Sequence, residues 1–230
     1  MKHIAIICFI ADPFDPPGYE RFGGGHLFLF ELGRFLVKNG FYVTYITRLN
    51  SPTKNEFEQL GPKCKIFRIK TGPLKEIQPD ETGKYLLKLY NITYKTIQNI
   101  VPCVEIIHSH YWIAGEVSRR ISKKLKLKHF HSILSLGRIK KQLNETLSSV
   151  YDLRIRCELK IYNSADYLIA VCPSEKSDLL NLYPEIKNKK NIKIIPYGVN
   201  SDVFFPKPES SDNYICWATN RFKKGIDIIF

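Results

Sequence analysis

Apolar residues along this chain change their period repeatedly. Runs rich in β-branched and aromatic residues at 4–9, 41–47, 65–69, 104–108, 128–131, 167–171 and 192–195 are short, continuous and bounded by turn residues, which predicts buried strands. Between them, at 26–39, 84–98, 112–125, 151–164 and 174–182, apolar residues recur three and four apart and predict helices. In the first of these, Leu29, Leu32, Phe35 and Leu36 share a face, and Gly40 ends the helix as a C-cap. Strands alternating with helices at this spacing imply right-handed crossovers and an α/β fold built on a doubly wound parallel sheet.

The pattern changes after Pro196. Proline and glycine punctuate 194–200 and 204–208, and a new strand at 214–218 and one helical turn at 226–230 follow. The expected organisation is an α/β domain over 1–196, a crossover over 197–212 and the truncated start of a second domain over 213–230.

Composition narrows the function classes. With 44% apolar and 25% charged residues, the 230-residue chain can bury a core, which excludes disorder and collagen. Basic residues outnumber acidic ones by 35 to 22, giving +13. Nine of them, Arg119, Arg120, Lys123, Lys124, Lys126, Lys128, Arg138, Lys140 and Lys141, fall within 117–144 with no acid among them. Such a run attracts phosphorylated substrates or an anionic membrane surface, or it is simply a solvated lysine-rich face. No nucleic-acid motif accompanies it, so nucleic acid is not an expected partner. Six dispersed cysteines without a Cys-x-x-Cys pair predict reduced, packed thiols of a cytosolic protein. The apolar run at 4–10 stops at Asp12-Pro13 without a cleavage site and predicts a strand, not a signal peptide. No stretch is long enough to span a bilayer, so the expected location is cytoplasmic, at most peripheral on a membrane.

In doubly wound sheets ligands bind beyond the carboxyl ends of the strands, which directs attention to four places. Gly23-Gly24-Gly25 after the first strand lets backbone amides at a helix start approach a phosphate. It fits neither the dinucleotide fingerprint, since Phe28 takes the third glycine position, nor a P-loop. His108 and His110 share one strand face, followed by Tyr111 and Trp112; polar and aromatic groups together suit a sugar. The pair could also hold zinc with His131 or Glu158 as third ligand, although satisfied, partly buried histidines are commoner than ligands. Arg154 and Glu158, four apart, read either as a helix-stabilising pair or as an arginine projected at an anion, and spacing alone favours the pair. Finally, Ile195-Pro-Tyr-Gly198 marks a domain boundary, followed by Arg221 and Lys224.

Taken in order, these motifs resemble glycosyltransferase family 4 within the GT-B fold, over essentially the whole chain. Gly23-Gly24, Glu31-Leu32 and Gly40 are similar to its opening glycine loop and first helix. His108-Ser-His110-Tyr111-Trp112 resembles its acceptor-side strand end, in the style of sucrose-phosphate synthase and the mycothiol glycosyltransferase. Arg154 and Glu158 with Asn163-Ser-Ala-Asp166 resemble its R-x3-E helix, and Pro196 to Gly198 its crossover. The resemblance implies a Rossmann-like N-terminal domain and retaining transfer of a sugar from a nucleotide-sugar donor to a sugar or lipid-linked acceptor hydroxyl, with no metal or cofactor. It implies acceptor binding by His110, Tyr111, Ser135 and Arg154, donor-phosphate binding by Gly23, Gly24, Arg221 and Lys224, and site support from Glu158 and Gly198. Leu134 stands where the family has a pocket histidine, and Asn220 where it has a glycine. A missing C-terminal domain would make the chain inactive by itself; the alternative is a non-catalytic module binding a phosphorylated or lipid-linked glycan at the membrane.

Overall fold

The computed structural model describes residues 2–16, 23–143, 148–187, 189–198, 200–201 and 205. One sheet contains β1 (His3–Ile7), β2 (Tyr42–Arg48), β3 (Phe57–Gly61), β4 (Cys64–Ile69), β5 (Ile106–His110), β6 (Lys128–Ser132), β7 (Tyr167–Ala170) and β8 (Ile192–Ile194). Their order across the sheet is β3-β4-β2-β1-β5-β6-β7-β8, and every pairing is parallel except β3 with β4. The helices are α1 (Gly24–Lys38), α2 (Leu86–Gln98), α3 (Tyr111–Leu125), α4 (Gly137–Leu143), α5 (Ser148–Ser164) and α6 (Pro173–Leu182), with a 3-10 helix at Pro79–Tyr85 before α2. The chain winds from β1 outward to β4, then crosses back to β5 and winds the other way. Right-handed crossovers therefore put α1 on one face and α2, α3 and α5 on the other.

Period two along the central strands supplies both faces. Ile4, Ile6 and Cys8 join Val43, Tyr45 and Leu29 beneath α1. Ala5, Ile7, Phe9 and Ile107 join Leu89, Trp112, Val117 and Ile161 on the opposite side. On the first face α1 lies so close that a Cβ at Gly33 would stand 1.7 Å from the Tyr45 hydroxyl, which donates to the Leu29 carbonyl at 3.1 Å. Only glycine permits that approach. The compact unit built this way ends at Gly198.

Several expectations change. Periodicity does not anticipate β3, an edge strand in antiparallel register with β4, because its residues are half exposed and keep no clean alternation. The seven-residue α4 is likewise unannounced, its sequence having read as part of the basic run. The expected fourth strand runs two residues later, through His110, so α3 opens at Tyr111. The basic run is no bare cationic face either. Arg119 and Arg120 both pair with Glu116, Lys128 with Asp166, Arg138 with Glu185 and Lys141 with Asp152, acids lying outside the run in sequence. The five described cysteines are free, but only Cys8 and Cys157 are buried, while Cys103 is exposed. No helix among the described residues is long and apolar enough to cross a membrane.

Candidate functional site

Beyond the carboxyl ends of β5 and β6, three of the expected site residues converge on Arg154. In the second turn of an isolated α5 such a side chain would lie on a helix surface; in the folded chain, with α5 packed on α3 and α4, it is completely buried. Its Nε donates to Glu158 at 2.7 Å, one terminal nitrogen to the Tyr111 hydroxyl at 2.9 Å and to Asp80 at 3.3 Å. The other terminal nitrogen donates to the Ser135 carbonyl at 2.9 Å and hydroxyl at 2.8 Å. The i, i+4 pair expected from the spacing is present, but it is buried and forms one part of a closed network that uses all five guanidinium donors. Burial works against the guanidinium charge, but Glu158, Tyr111 and Asp80 outweigh it and keep Arg154 ionised.

The elements explain how these groups meet. Glu158 is fixed from three sides, by Arg154, by the Gly137 amide at the start of α4 at 3.0 and 3.1 Å, and by the Tyr183 hydroxyl. A Cβ at Gly137 would fall 2.7 Å from the Glu158 carboxylate, so glycine is required there. Tyr111 and Leu134 hold left-handed backbone at φ 73 and 63, conformations that non-glycine residues rarely adopt. Tyr111 stands directly past β5 and Leu134 two residues past β6, and each sets a group onto Arg154: the Tyr111 phenol, and Ser135 next to Leu134. Strain of this kind collects at sites where geometry matters more than local stability.

Sequence reasoning missed Asp80. It lies on the 3-10 helix, and one of its oxygens accepts from Tyr111 at 2.7 Å and from the Trp112 indole at 2.9 Å as well as from Arg154. Nothing in its spacing announces it. The available signal is indirect: the polar tips of Tyr111 and Trp112, once buried, each need a partner.

His110 is placed at the same strand end but not in the Arg154 network. It is buried, its ring lies 4.2 Å from that of His108 and 5.7 Å from Phe28 of α1, and neither ring nitrogen has a hydrogen-bond partner. Burial, with His108 and His131 beside it, lowers its pKa well below the ordinary value, and burial lowers His108 to about 4. The zinc grouping is not assembled. His131 pairs in register with Ser109, on the sheet face opposite to His108 and His110, and Glu158 is engaged by Arg154. Among the described residues no group of three His, Cys, Asp or Glu side chains could hold a metal ion.

The glycine loop forms the start of α1. Gly23 is its N-cap with extended backbone, no side chain caps the helix, and its first turn carries no acid. Gly23, Gly24 and Gly25 are exposed and have open space around their α-carbons, so an anion could reach the helix amides. Phe28, one turn on, ties this end to His110 and packs in a tilted contact, ring centroids 4.3 Å apart, on Tyr197 of the crossover, beside Gly198. Arg221 and Lys224 lie outside the described residues.

A second buried ionic cluster, also missed from the sequence, closes the neighbouring strand ends. Asp12 accepts from Arg68 at 2.6 Å, Lys54 at 2.9 Å and the Phe14 amide at 3.0 Å. Lys54 also reaches Asp15 and Asn50, and Arg68 reaches Glu58. It thus ties the loop after β1 to β4 and to the loop after β2.

Residues 22–203 match the family model described as Glycosyltransferase Family 4. The chain belongs to that family. It is 30% identical over 210 residues to mannosylfructose-phosphate synthase of Agrobacterium fabrum, covering 87% of this chain and 46% of the relative. It is 24% identical over 205 residues to D-inositol 3-phosphate glycosyltransferase of Corynebacterium aurimucosum, covering 88% and 48%. Sucrose-phosphate synthase from Thermosynechococcus elongatus superposes with a TM-score of 0.79 at 26% identity, over 90% of this chain and 51% of that one. This family 4 chain thus has the N-terminal domain of a GT-B glycosyltransferase and spans about half the length of the curated relatives it matches.

Proposed function

We propose that this family 4 domain is the acceptor side of a retaining glycosyltransferase that moves a sugar from a nucleotide-sugar donor to a hydroxyl of a phosphorylated acceptor. The observation that carries this reading is the convergence of Tyr111, Ser135 and Arg154 at the strand ends, with His110 and the open start of α1 along the same edge. Phenol, hydroxyl and guanidinium together suit a phosphate, and the names of the three relatives all contain a sugar or inositol phosphate. On the donor side, the Gly23 and Gly24 amides at the helix start would stabilise the leaving diphosphate as the glycosidic bond breaks, with Arg221 and Lys224 as further positive donors. A second domain in cis would complete that site, so the 230-residue chain alone is expected to be inactive. The test is transfer of labelled sugar from a panel of nucleotide sugars to sugar phosphates, by this chain and by one of the relatives' full length. Turnover by the long chain only is expected; efficient turnover by the 230-residue chain would overturn the two-domain reading.

One observation favours a second reading, a module docked on an anionic membrane. Tyr90 and Tyr94 of α2 stack at 6.0 Å, Arg120 and Lys124 of α3 cover their rings at 5.9 and 4.3 Å, and Lys88, Lys95 and Lys123 are exposed nearby on these two helices. Cations with amphipathic rings suit a lipid interface. Flotation with phosphatidylcholine vesicles containing phosphatidylglycerol, but not with phosphatidylcholine alone, is the expected result; equal behaviour in both rejects this reading.

A further inference from the structure

Arg154 cannot meet a ligand in the arrangement described. Its side chain is fully buried and each N–H already has an acceptor. Any anion that binds it must replace one of those acceptors, and their surroundings differ enough to say which. Glu158 is 1% exposed and receives three donors, the Gly137 amide of α4, the Arg154 Nε of α5 and the Tyr183 hydroxyl. Ser135 is held by the backbone that leads from β6 into α4. Asp80 is different on every count. Its side chain is 21% exposed, its contact with Arg154 is the longest at 3.3 Å, and a single oxygen takes all three donors.

Charge points the same way. One guanidinium faces two carboxylates, and Glu158 alone can neutralise it, so Asp80, at the partly solvated edge of the cluster, is the carboxylate the cluster needs least. The segment that carries Asp80 is also self-contained. The 3-10 helix closes its own start by a reciprocal Gln78 and Glu81 capping box, and it rests on Trp112 at Gly83, where a Cβ would lie 2.8 Å from the indole ring. A segment that satisfies its own end can shift without orphaning backbone groups.

We propose that Asp80 is an internal stand-in for the acceptor's anionic group: its carboxylate occupies the Tyr111, Trp112 and Arg154 donors in the free protein and is displaced when the acceptor phosphate binds. This rests on the reading that the pocket takes a phosphorylated acceptor. A tetrahedral dianion can accept from the same three donors and carries more charge than the carboxylate it replaces. Until it arrives, Asp80 keeps the buried donors satisfied and excludes weaker anions and neutral sugars. Because only the Asp80-out form binds, apparent affinity is reduced by the fraction of molecules in that form.

The test is titration of the 230-residue chain and of Asp80→Asn with inorganic phosphate, followed by the Trp112 indole N–H resonance. The wild-type indole signal is expected to move as Asp80 gives way to phosphate, and Asp80→Asn is expected to bind phosphate about tenfold more tightly. Equal affinity in both chains, or phosphate binding that leaves the Trp112 signal of the wild type unmoved, overturns the displacement while leaving the phosphate site standing. If neither chain binds phosphate, the phosphorylated-acceptor reading fails and the displacement falls with it. The wild-type indole shift needs no substitution, so it decides the matter even if Asp80→Asn folds poorly.

Discussion

Two buried ionic clusters sit on the same edge of the sheet, one around Asp12 and Arg68 beyond β1 and β4, the other around Arg154 beyond β5 and β6. The first sets two cations, Arg68 and Lys54, among Asp12, Asp15 and the rim residue Glu58, with each cation bridging two carboxylates, and no described residue within it has left-handed backbone. The second crowds two carboxylates onto one guanidinium and is flanked by left-handed Tyr111 and Leu134. A cluster whose two cations each bridge acids from different segments, on relaxed backbone, is a clamp that fastens loops. An over-supplied cluster on strained backbone, with its outermost carboxylate partly in solvent, is built to exchange a partner.

Acid should separate the two most strongly. Burial lowers His108 to about 4 and His129 to about 3, and it lowers His110 and His131 well below the ordinary value of 6.5; all four lie on β5 and β6 behind Arg154. These rings are neutral when folded but protonate when unfolded below 6.5. Stability is therefore complete above 6.5 and falls as pH drops toward 4, by about 1.4 kcal/mol per unit for each such histidine. Asp12 behaves differently. Burial alone would raise its carboxyl, but Arg68 and Lys54 hold it below the ordinary 3.8, so its contribution is lost only beneath that value. Urea unfolding at a series of pH values should show a loss of about 2–3 kcal/mol for each of these histidines between 6.5 and 4.5, enough together to rival the whole stability of a typical domain. A profile flat to pH 4 would move the acid sensitivity to the Asp12 clamp.

Arg68→Met tests the clamp itself. It leaves Asp12 buried with only Lys54 and the Phe14 amide, a change that costs about 3–5 kcal/mol when one partner of a buried pair is removed. Phosphate affinity at the Arg154 cluster should not change in chain that remains folded. If Arg68→Met is as stable as the wild type, or weakens phosphate, the division of labour between the clusters is wrong.

Ser135→Ala has the smallest effect. Arg154 loses the hydroxyl at 2.8 Å but keeps the Ser135 carbonyl at 2.9 Å, so stability should fall by about 0.5–1.5 kcal/mol in thermal or urea unfolding. Phosphate binding should weaken as well, because the hydroxyl is part of the proposed pocket. A loss of stability with phosphate affinity unchanged would make Ser135 a structural contact only.

The alternation of strand and helix was legible from residue periods because each parallel strand buries both faces and each crossover helix buries one stripe. β3 and α4 were not, since an edge strand exposes half its side chains and a seven-residue helix is too short to establish a period. The sequence singled out Tyr111, Ser135 and Arg154 by motif, yet the i, i+4 spacing of Arg154 and Glu158 favoured no more than a helix-stabilising pair. Nothing in that spacing tells which side of α5 faces the sheet. Asp80, 74 residues before Arg154, carried no local mark at all.

By itself the sequence determined the fold class, the strand ends where chemistry would gather and the family to which they belong, because these follow from short-range periodicity and ordered motifs. Only the tertiary structure decided which charges meet: that Lys128, Arg138 and Lys141 of the basic run are answered by acids 38, 47 and 11 residues away, that His131 faces away from His108 and His110, and that Arg154 is enclosed by Asp80. Ion pairing depends on distance in space and on the loss of water around each charge, and neither is written in the separation of residues along a chain.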